Sequence, residues 1–199
     1  MIDQPNSAPS SPEVDALLGI RRFSLLSMIG FLILPIVLLV GLAHSNYNVG
    51  SLFFMTIFSL TIISSAILVI ALLPLRSGYR TLKGISPSFD SAYTGTSLYF
   101  VGLILVIVGS LIAVFSVRTG LGTFIFGVIV IAVGGIAAFV GTVLALIIGT
   151  FRLNDRYDGF AAPAVLFILG IFLPFCSLIA VILTYTRTDS AISTLLGGK

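Results

Sequence analysis

Charge is what this chain has least of. Only 9% of its 199 residues are charged, against roughly 25% in an ordinary soluble domain, and the scarcity is uneven. From Phe23 to Leu75 the titratable side chains are His44 and Tyr47 alone, and the later apolar runs hold no Asp, Glu, Lys, Arg or His in their interiors. Ionisable groups inside a bilayer mark proton relays, ion paths and voltage sensors, so a proton-coupled transporter or voltage sensor is disfavoured. An intramembrane protease is disfavoured too, because no buried carboxylate pair or Ser–His arrangement is present. Metal transport and metal catalysis lack a His/Cys/carboxylate cluster. The single Cys176 forms no intramolecular disulfide and sits inside an apolar run as a packing residue. The single His44 is read as an interfacial turn residue, with no second ligand near it in sequence.

Hydrophobic residues are abundant instead, at 58% of the chain, with a mean hydropathy of +1.21. They fall into five runs, at about 23–43, 49–75, 97–117, 123–151 and 160–185. Each reaches the roughly 20 residues that cross a hydrocarbon core of about 30 Å. Residues 1–12, Pro/Ser-rich and polar, read as a disordered tail. Ser11-Pro12-Glu13 reads as a helix start, with Ser as N-cap and Pro in the first turn. The expected helix Glu13–Arg22 leads into the membrane, with Gly19 as a possible bend. Arg21-Arg22 before the first run is not read as a cleaved signal, because the run exceeds the about 7–15 residues of a signal core. His44–Asn48 reads as a tight turn and Arg152–Gly159 as a loop. Pro35, Pro74 and Pro174 are candidate kinks, and residues 186–199 form a short polar C-terminal tail. The fold class is therefore an all-α integral membrane protein, a single domain over 13–185.

Five spans put the two termini on opposite sides. One side then holds Arg21, Arg22, Arg76, Arg80, Lys83, Arg152 and Arg156; the other holds Arg118, Arg187 and Lys199. Basic residues collect on cytoplasmic flanks, so the expectation is a cytoplasmic N-terminus, an external C-terminus and residence in the cytoplasmic membrane. The pI near 9.3 reflects this orientation, and nucleic acid is excluded because the basic residues are few and lie against the membrane.

Four places carry candidate function. Arg76, Arg80 and Lys83, at i, i+4 and i+7, share one helical face just beyond the second run. There they would contact lipid headgroups, at about 1 kcal/mol per residue on anionic lipid. The helix breaks next at Ile85-Ser86-Pro87-Ser88, and Tyr93 and Tyr99 suit an aromatic interface belt. In run four, Ala137, Gly141, Ala145 and Gly149 recur every four residues as a packing stripe, for another helix of this chain or for a second copy. Ser59, Thr61, Ser64 and Ser65 in run two either bond within the helices or line a narrow pore. In the Arg152–Gly159 loop, Asp155 or Asp158 could pair with Arg76 or Arg80, with no Gly-rich phosphate loop beside them. An echo, SLIAV at 110–114 and 177–181, raises the possibility of related hairpins of the same orientation.

The segment Gly78-Tyr79-Arg80-x-Leu82, then Ser91-Ala92-Tyr93-Thr94-Gly95 opening into the Gly-punctuated run Tyr99–Val117, resembles the domain of unknown function 973 family of archaeal multi-pass membrane proteins. The likeness covers about Val14 to Tyr185. It implies an archaeal cytoplasmic membrane, and it carries over no catalytic or binding residue, since the family has no established activity. The sequence reading is thus a non-enzymatic membrane protein without cofactor, a structural or accessory subunit that contacts lipid and a membrane-protein partner or its own copy. The alternative is a channel or carrier for a small neutral or apolar solute.

Overall fold

The computed structural model describes residues 11–44 and 51–197. The expected tail at 1–10, the turn at 45–48 and Lys199 lie outside the described residues. Among the described residues seven α-helices follow one another: α1 (Pro12–His44), α2 (Ser51–Ile85), α3 (Asp90–Thr119), α4 (Leu121–Thr142), α5 (Gly149–Arg156), α6 (Ala161–Gly170) and α7 (Pro174–Gly197). A 3-10 turn, Pro87–Phe89, joins α2 to α3. A π-helical segment, Val143–Ile148, joins α4 to α5, so Leu121–Arg156 is one continuous rod. No strand occurs among the described residues.

Three stretches among the described residues are apolar and long enough to cross a membrane: Ile57–Ile85, Pro87–Ser116 and Leu121–Arg156. The helix ends follow local chemistry. Ser11 opens α1, its Oγ accepting from the Val14 N–H at 3.4 Å, and Pro12 occupies the first turn where a missing N–H costs nothing. There is no separate Glu13–Arg22 helix, because α1 runs unbroken from Pro12 to His44. Ser86-Pro87 ends α2, since proline forces the residue before it out of helical geometry. Between α3 and α4 only Gly120 intervenes, with φ +99°, a backbone state that a side chain would strain.

Helices α1 and α2 run antiparallel. A side chain at Gly19 of α1 would meet the Pro74 carbonyl of α2 at 2.6 Å, and one at Gly30 would meet Ile67 at 3.2 Å. The expected loop 152–159 is shorter than its polarity suggests, as α5 carries the rod to Arg156 and leaves only Tyr157–Phe160 as connection.

The fifth span expected at 160–185 is not a through-going helix. α6 stops at Gly170, residues 171–173 turn, and α7 returns alongside α6: Gly170 abuts Ser177, and at the other end Gly159 lies against the Arg187 side chain. α7 also runs antiparallel to α1. The Arg21 guanidinium donates to the Tyr185 hydroxyl at 3.0 Å and pairs with Asp189 at 3.2 Å. The segment is therefore a helical hairpin, and its last residues return to the end where α1 begins. The tail expected beyond 185 is helical to Gly197. The physical reason is the pair Gly170 and Pro174: a helix ends easily at glycine, and Pro174 opens the next one where its missing N–H is tolerated. Because α3 leads away from this end while α7 leads back to it, the two SLIAV segments run in opposite directions and are not same-orientation repeats.

The core lies at this end, where every segment converges. Leu17, Ile20, Leu72, Leu75, Leu82, Phe89, Leu153 and Phe160 are each 1% exposed or less and form one cluster that Ile192 of α7 joins.

Candidate functional site

The Gly78-Tyr79 pair is a mechanical joint. A Cβ on Gly78 would sit 2.7 Å from the Ala16 carbonyl, so glycine lets α2 touch α1. Tyr79, 1% exposed, reaches across the bundle and its hydroxyl donates to the Ala145 carbonyl at 3.0 Å. Ala145 lies inside the π-helical segment, where the change from i+4 to i+5 bonding takes a carbonyl out of the helical ladder. Tyr79 supplies a side-chain donor to a carbonyl of this irregular segment. Gly149, one turn further on, abuts the same phenol and leaves it room.

The basic row of α2 is partly engaged within the chain. Lys83 pairs with Asp90 at 2.5 Å and stands 5.2 Å from the centre of the Tyr93 ring. Arg76 covers the same ring from 5.8 Å. Arg80 is exposed and is the member of the row left open to a headgroup. The loop carboxylates do not reach this row: Asp155 pairs with Arg152 at 3.4 Å, while Arg156 pairs with Glu13 at the start of α1. Above that pair a cleft of about 540 Å³ is lined by Glu13, Arg156, Tyr157, Asp158 and Arg187 with Ser190 and Thr194 of α7. Burial pushes the Tyr157 phenol pKa up from its ordinary value. The Tyr185 hydrogen bond holds the Arg21 guanidinium above its own, outweighing the opposing desolvation, and the Asp189 charge adds less.

The packing stripe of α4 turns inward. Gly141 packs on Tyr99, Gly149 on Tyr79, and Ala145 is fully buried; Ala137 is half-buried. A second register, missed by an every-fourth-residue reading, dominates the contact. Gly102 and Gly109 of α3 face Gly134 and Gly127 of α4, and the seven-residue interval continues to Gly95, which meets Leu144 and Ala145, and to Gly141, which meets Tyr99. A side chain at Gly102 would meet the Gly134 carbonyl at 2.7 Å, and one at Gly134 would meet the Gly102 carbonyl at 2.8 Å. The glycine hydrogens thus point at opposing carbonyls, the geometry of weak Cα–H···O contacts. Seven-residue spacing of glycine was the signal, because it keeps one face on its partner along a left-handed pair.

Beside the hairpin tip the packing opens into a cavity of about 300 Å³. Phe23, Leu68, Phe139, Leu146, Phe167 and Val181 supply apolar walls, and Ser27, Tyr99, Thr142 and Ser177 supply hydroxyls; Gly170 and Ile171 bring the tip itself. No charged side chain lines it. The hydroxyls expected in run two, Ser59, Thr61, Ser64 and Ser65, are not among its walls, and Thr61 bonds back to the Ile57 carbonyl at 2.9 Å. Two interrupted helices meet here, the π-helical segment through Leu146 and the hairpin through Gly170. No group of three or more potential metal ligands is found among the described residues.

No curated protein and no solved structure matches the chain. A family model does match, over residues 13–197, and its description is Protein of unknown function (DUF973). The match takes in the Gly78-Tyr79 joint, the glycine seam and the hairpin, and the chain belongs to that family.

Proposed function

We propose that this is a non-enzymatic protein of the cytoplasmic membrane that carries or passes a small neutral or apolar solute, with the cavity at the hairpin tip as its binding site. One observation supports this above the others: the cavity lies where a helical hairpin and a π-helical segment meet. Irregular backbone at membrane depth is tolerated where it lines a cavity or is covered by protein, and solute sites in carriers are built at such interruptions. The walls carry hydroxyls and no charge, which suits a neutral solute. Flux of glycerol and similar neutral solutes into proteoliposomes tests it, with Leu68→Trp filling the cavity. Flux above that of empty liposomes, abolished by the substitution, is expected. Flux no greater than in empty liposomes overturns the carrier reading.

In the proposed arrangement α1 to α5 supply four spans, α6–α7 enters and leaves from one side, and both termini are cytoplasmic. Arg21, Arg22, Arg76, Arg80, Lys83, Arg152, Arg156 and Arg187 then share one side, and Arg118 is alone on the other, a stronger bias than five spans allow. In a Cys176→Ala background, Ser88→Cys and Ser193→Cys should both resist an impermeant maleimide in intact cells and react after permeabilisation. Opposite behaviour of the two restores five spans.

A second reading, an accessory subunit, has its own observation. Phe172 and Phe175 at the hairpin tip are 79% and 81% exposed, a pair of aromatic anchors suited to a membrane-protein partner. Stoichiometric co-purification of one partner in mild detergent, lost on Phe172→Ala/Phe175→Ala, favours it.

A further inference from the structure

We infer that the occupant of this cavity is an uncharged amphiphile, one hydrogen-bonding group on an apolar body, which enters sideways from the bilayer and places its polar group on Ser27. The inference rests on the cavity being a binding site and names what it takes.

Ser27 carries the argument. It lines the cavity, is 2% exposed, and its Oγ has no hydrogen-bond partner. Neighbouring hydroxyls behave differently: Ser24 bonds back to the Ile20 carbonyl at 3.1 Å, Thr142 to Ala138 at 2.9 Å, and Thr184 to Ala180 at 2.8 Å. Back-bonding is the ordinary way a serine or threonine satisfies itself in an apolar helix. Leaving a buried hydroxyl unpaired is costly, and a ligand acceptor or hydroxyl at Ser27 removes that cost. Two other buried hydroxyls among the described residues have no hydrogen-bond partner, those of Ser110 and Tyr157; Ser110 lines neither this cavity nor the cleft, and Tyr157 lines the polar cleft but not this cavity.

The walls set the rest of the ligand. The volume of about 300 Å³ holds roughly ten non-hydrogen atoms at about 30 Å³ each. With no counter-charge, an ion would enter an apolar site unpaired, which burial strongly opposes. The route follows from exposure. Phe139 and Ile171 line the cavity and yet are 53% and 42% exposed. Around them Ile136, Val140 and Phe172 are exposed as well, so the mouth opens onto an apolar surface, the side that faces hydrocarbon.

The experiment uses the full chain in phosphatidylcholine nanodiscs and a ten-carbon primary alcohol bearing a diazirine as photoprobe. Saturable labelling of the peptides holding Phe139 and Ile171 is expected, displaced by decanol and at least tenfold less well by decanoate or decane. Ser27→Ala should weaken apparent affinity about fivefold to tenfold, the effect of one lost hydrogen bond. Ile171→Trp at the mouth should reduce labelling, while Ile129→Trp, elsewhere on the exposed face of α4, should leave it unchanged. Labelling spread evenly over the apolar surface, equal displacement by decanoate, or an unchanged Ser27→Ala affinity overturns the inference. Glycerol flux that persists without specific alcohol labelling sinks the inference alone; loss of both sinks the carrier reading with it.

Discussion

The α3–α4 pair and the α6–α7 pair are both antiparallel helical hairpins, and they place glycine in opposite ways. Along α3–α4 glycine recurs every seven residues on both partners, and each one faces backbone. The helices close to contact over their length, leaving no room for a solute. In α6–α7 one glycine, Gly170, faces Ser177 beside the turn, and the packing opens next to it into the cavity. Repetition makes a seam, whereas a single small residue beside a break makes a bend. The same residue type thus builds the rigid part of the bundle and the part that can accept a ligand.

Breaking the seam should have the largest effect. Gly102→Leu forces a side chain into the backbone of Ala138, and we expect a loss above about 4 kcal/mol, the scale of severe overpacking. No monodisperse protein should be recovered by size exclusion. Gly135→Leu, on α4 with nothing within 4 Å of the added atom, should elute and melt like the parent. If both variants behave alike, the seam is not what holds the pair together.

The joint between seam and hairpin comes next. Tyr79→Phe removes the donor to the Ala145 carbonyl and should cost about 1–3 kcal/mol, the cost of an unpaired buried group. Gly149→Ala crowds the same hydroxyl. The double variant should therefore lose less than the two single losses added, a coupling read from thermal melts in a double-mutant cycle. Strict additivity would separate the two positions.

At the hairpin, Gly170→Ala pushes against the Ser177 hydroxyl, the far end of a small side chain, and should cost about 1–2 kcal/mol, with Ser177→Gly restoring part of it. Smallest is Arg21→Gln, which loosens α7 from α1. Arg21 and Asp189 have side chains 35% and 56% exposed, so the pair contributes below about 1 kcal/mol. The loss should shrink in high salt as exposed charges are screened.

Much of the scaffold was legible in the residues. Ser11-Pro12 opens α1, Ser86-Pro87 closes α2, and the Arg76–Arg80–Lys83 row lies on helix as the spacing requires. The stripe through Gly141, Ala145 and Gly149 was visible, but its partners Tyr99 and Tyr79 were not, because spacing reveals a face and not what the face meets. The seven-residue glycine register was hidden by the search for a four-residue one. The hairpin was missed for a physical reason. Hydropathy over 160–185 measures only how much apolar chain there is, and that amount is the same whether the chain crosses or turns back. The clue lay in Gly170-x-x-x-Pro174 together with the hydroxyl-rich stretch after Thr184, which prolongs α7 instead of ending it. Ser27 gave no signal, since an orphaned hydroxyl is a property of surroundings and not of sequence.

The hairpin turns back after ten residues of α6, about 15 Å of rise or half of a core about 30 Å thick. A plane cut through the bundle on its side of the tip meets six helical rods, and one cut beyond the tip meets four. With rods about 10–12 Å wide, the proposed four-span arrangement would displace roughly half again as much area from one leaflet as from the other. Its outline is a wedge, and a wedge is sensitive to bending: this protein should gather where the leaflet holding the hairpin is stretched, and concentrated patches of it should stretch that leaflet in turn.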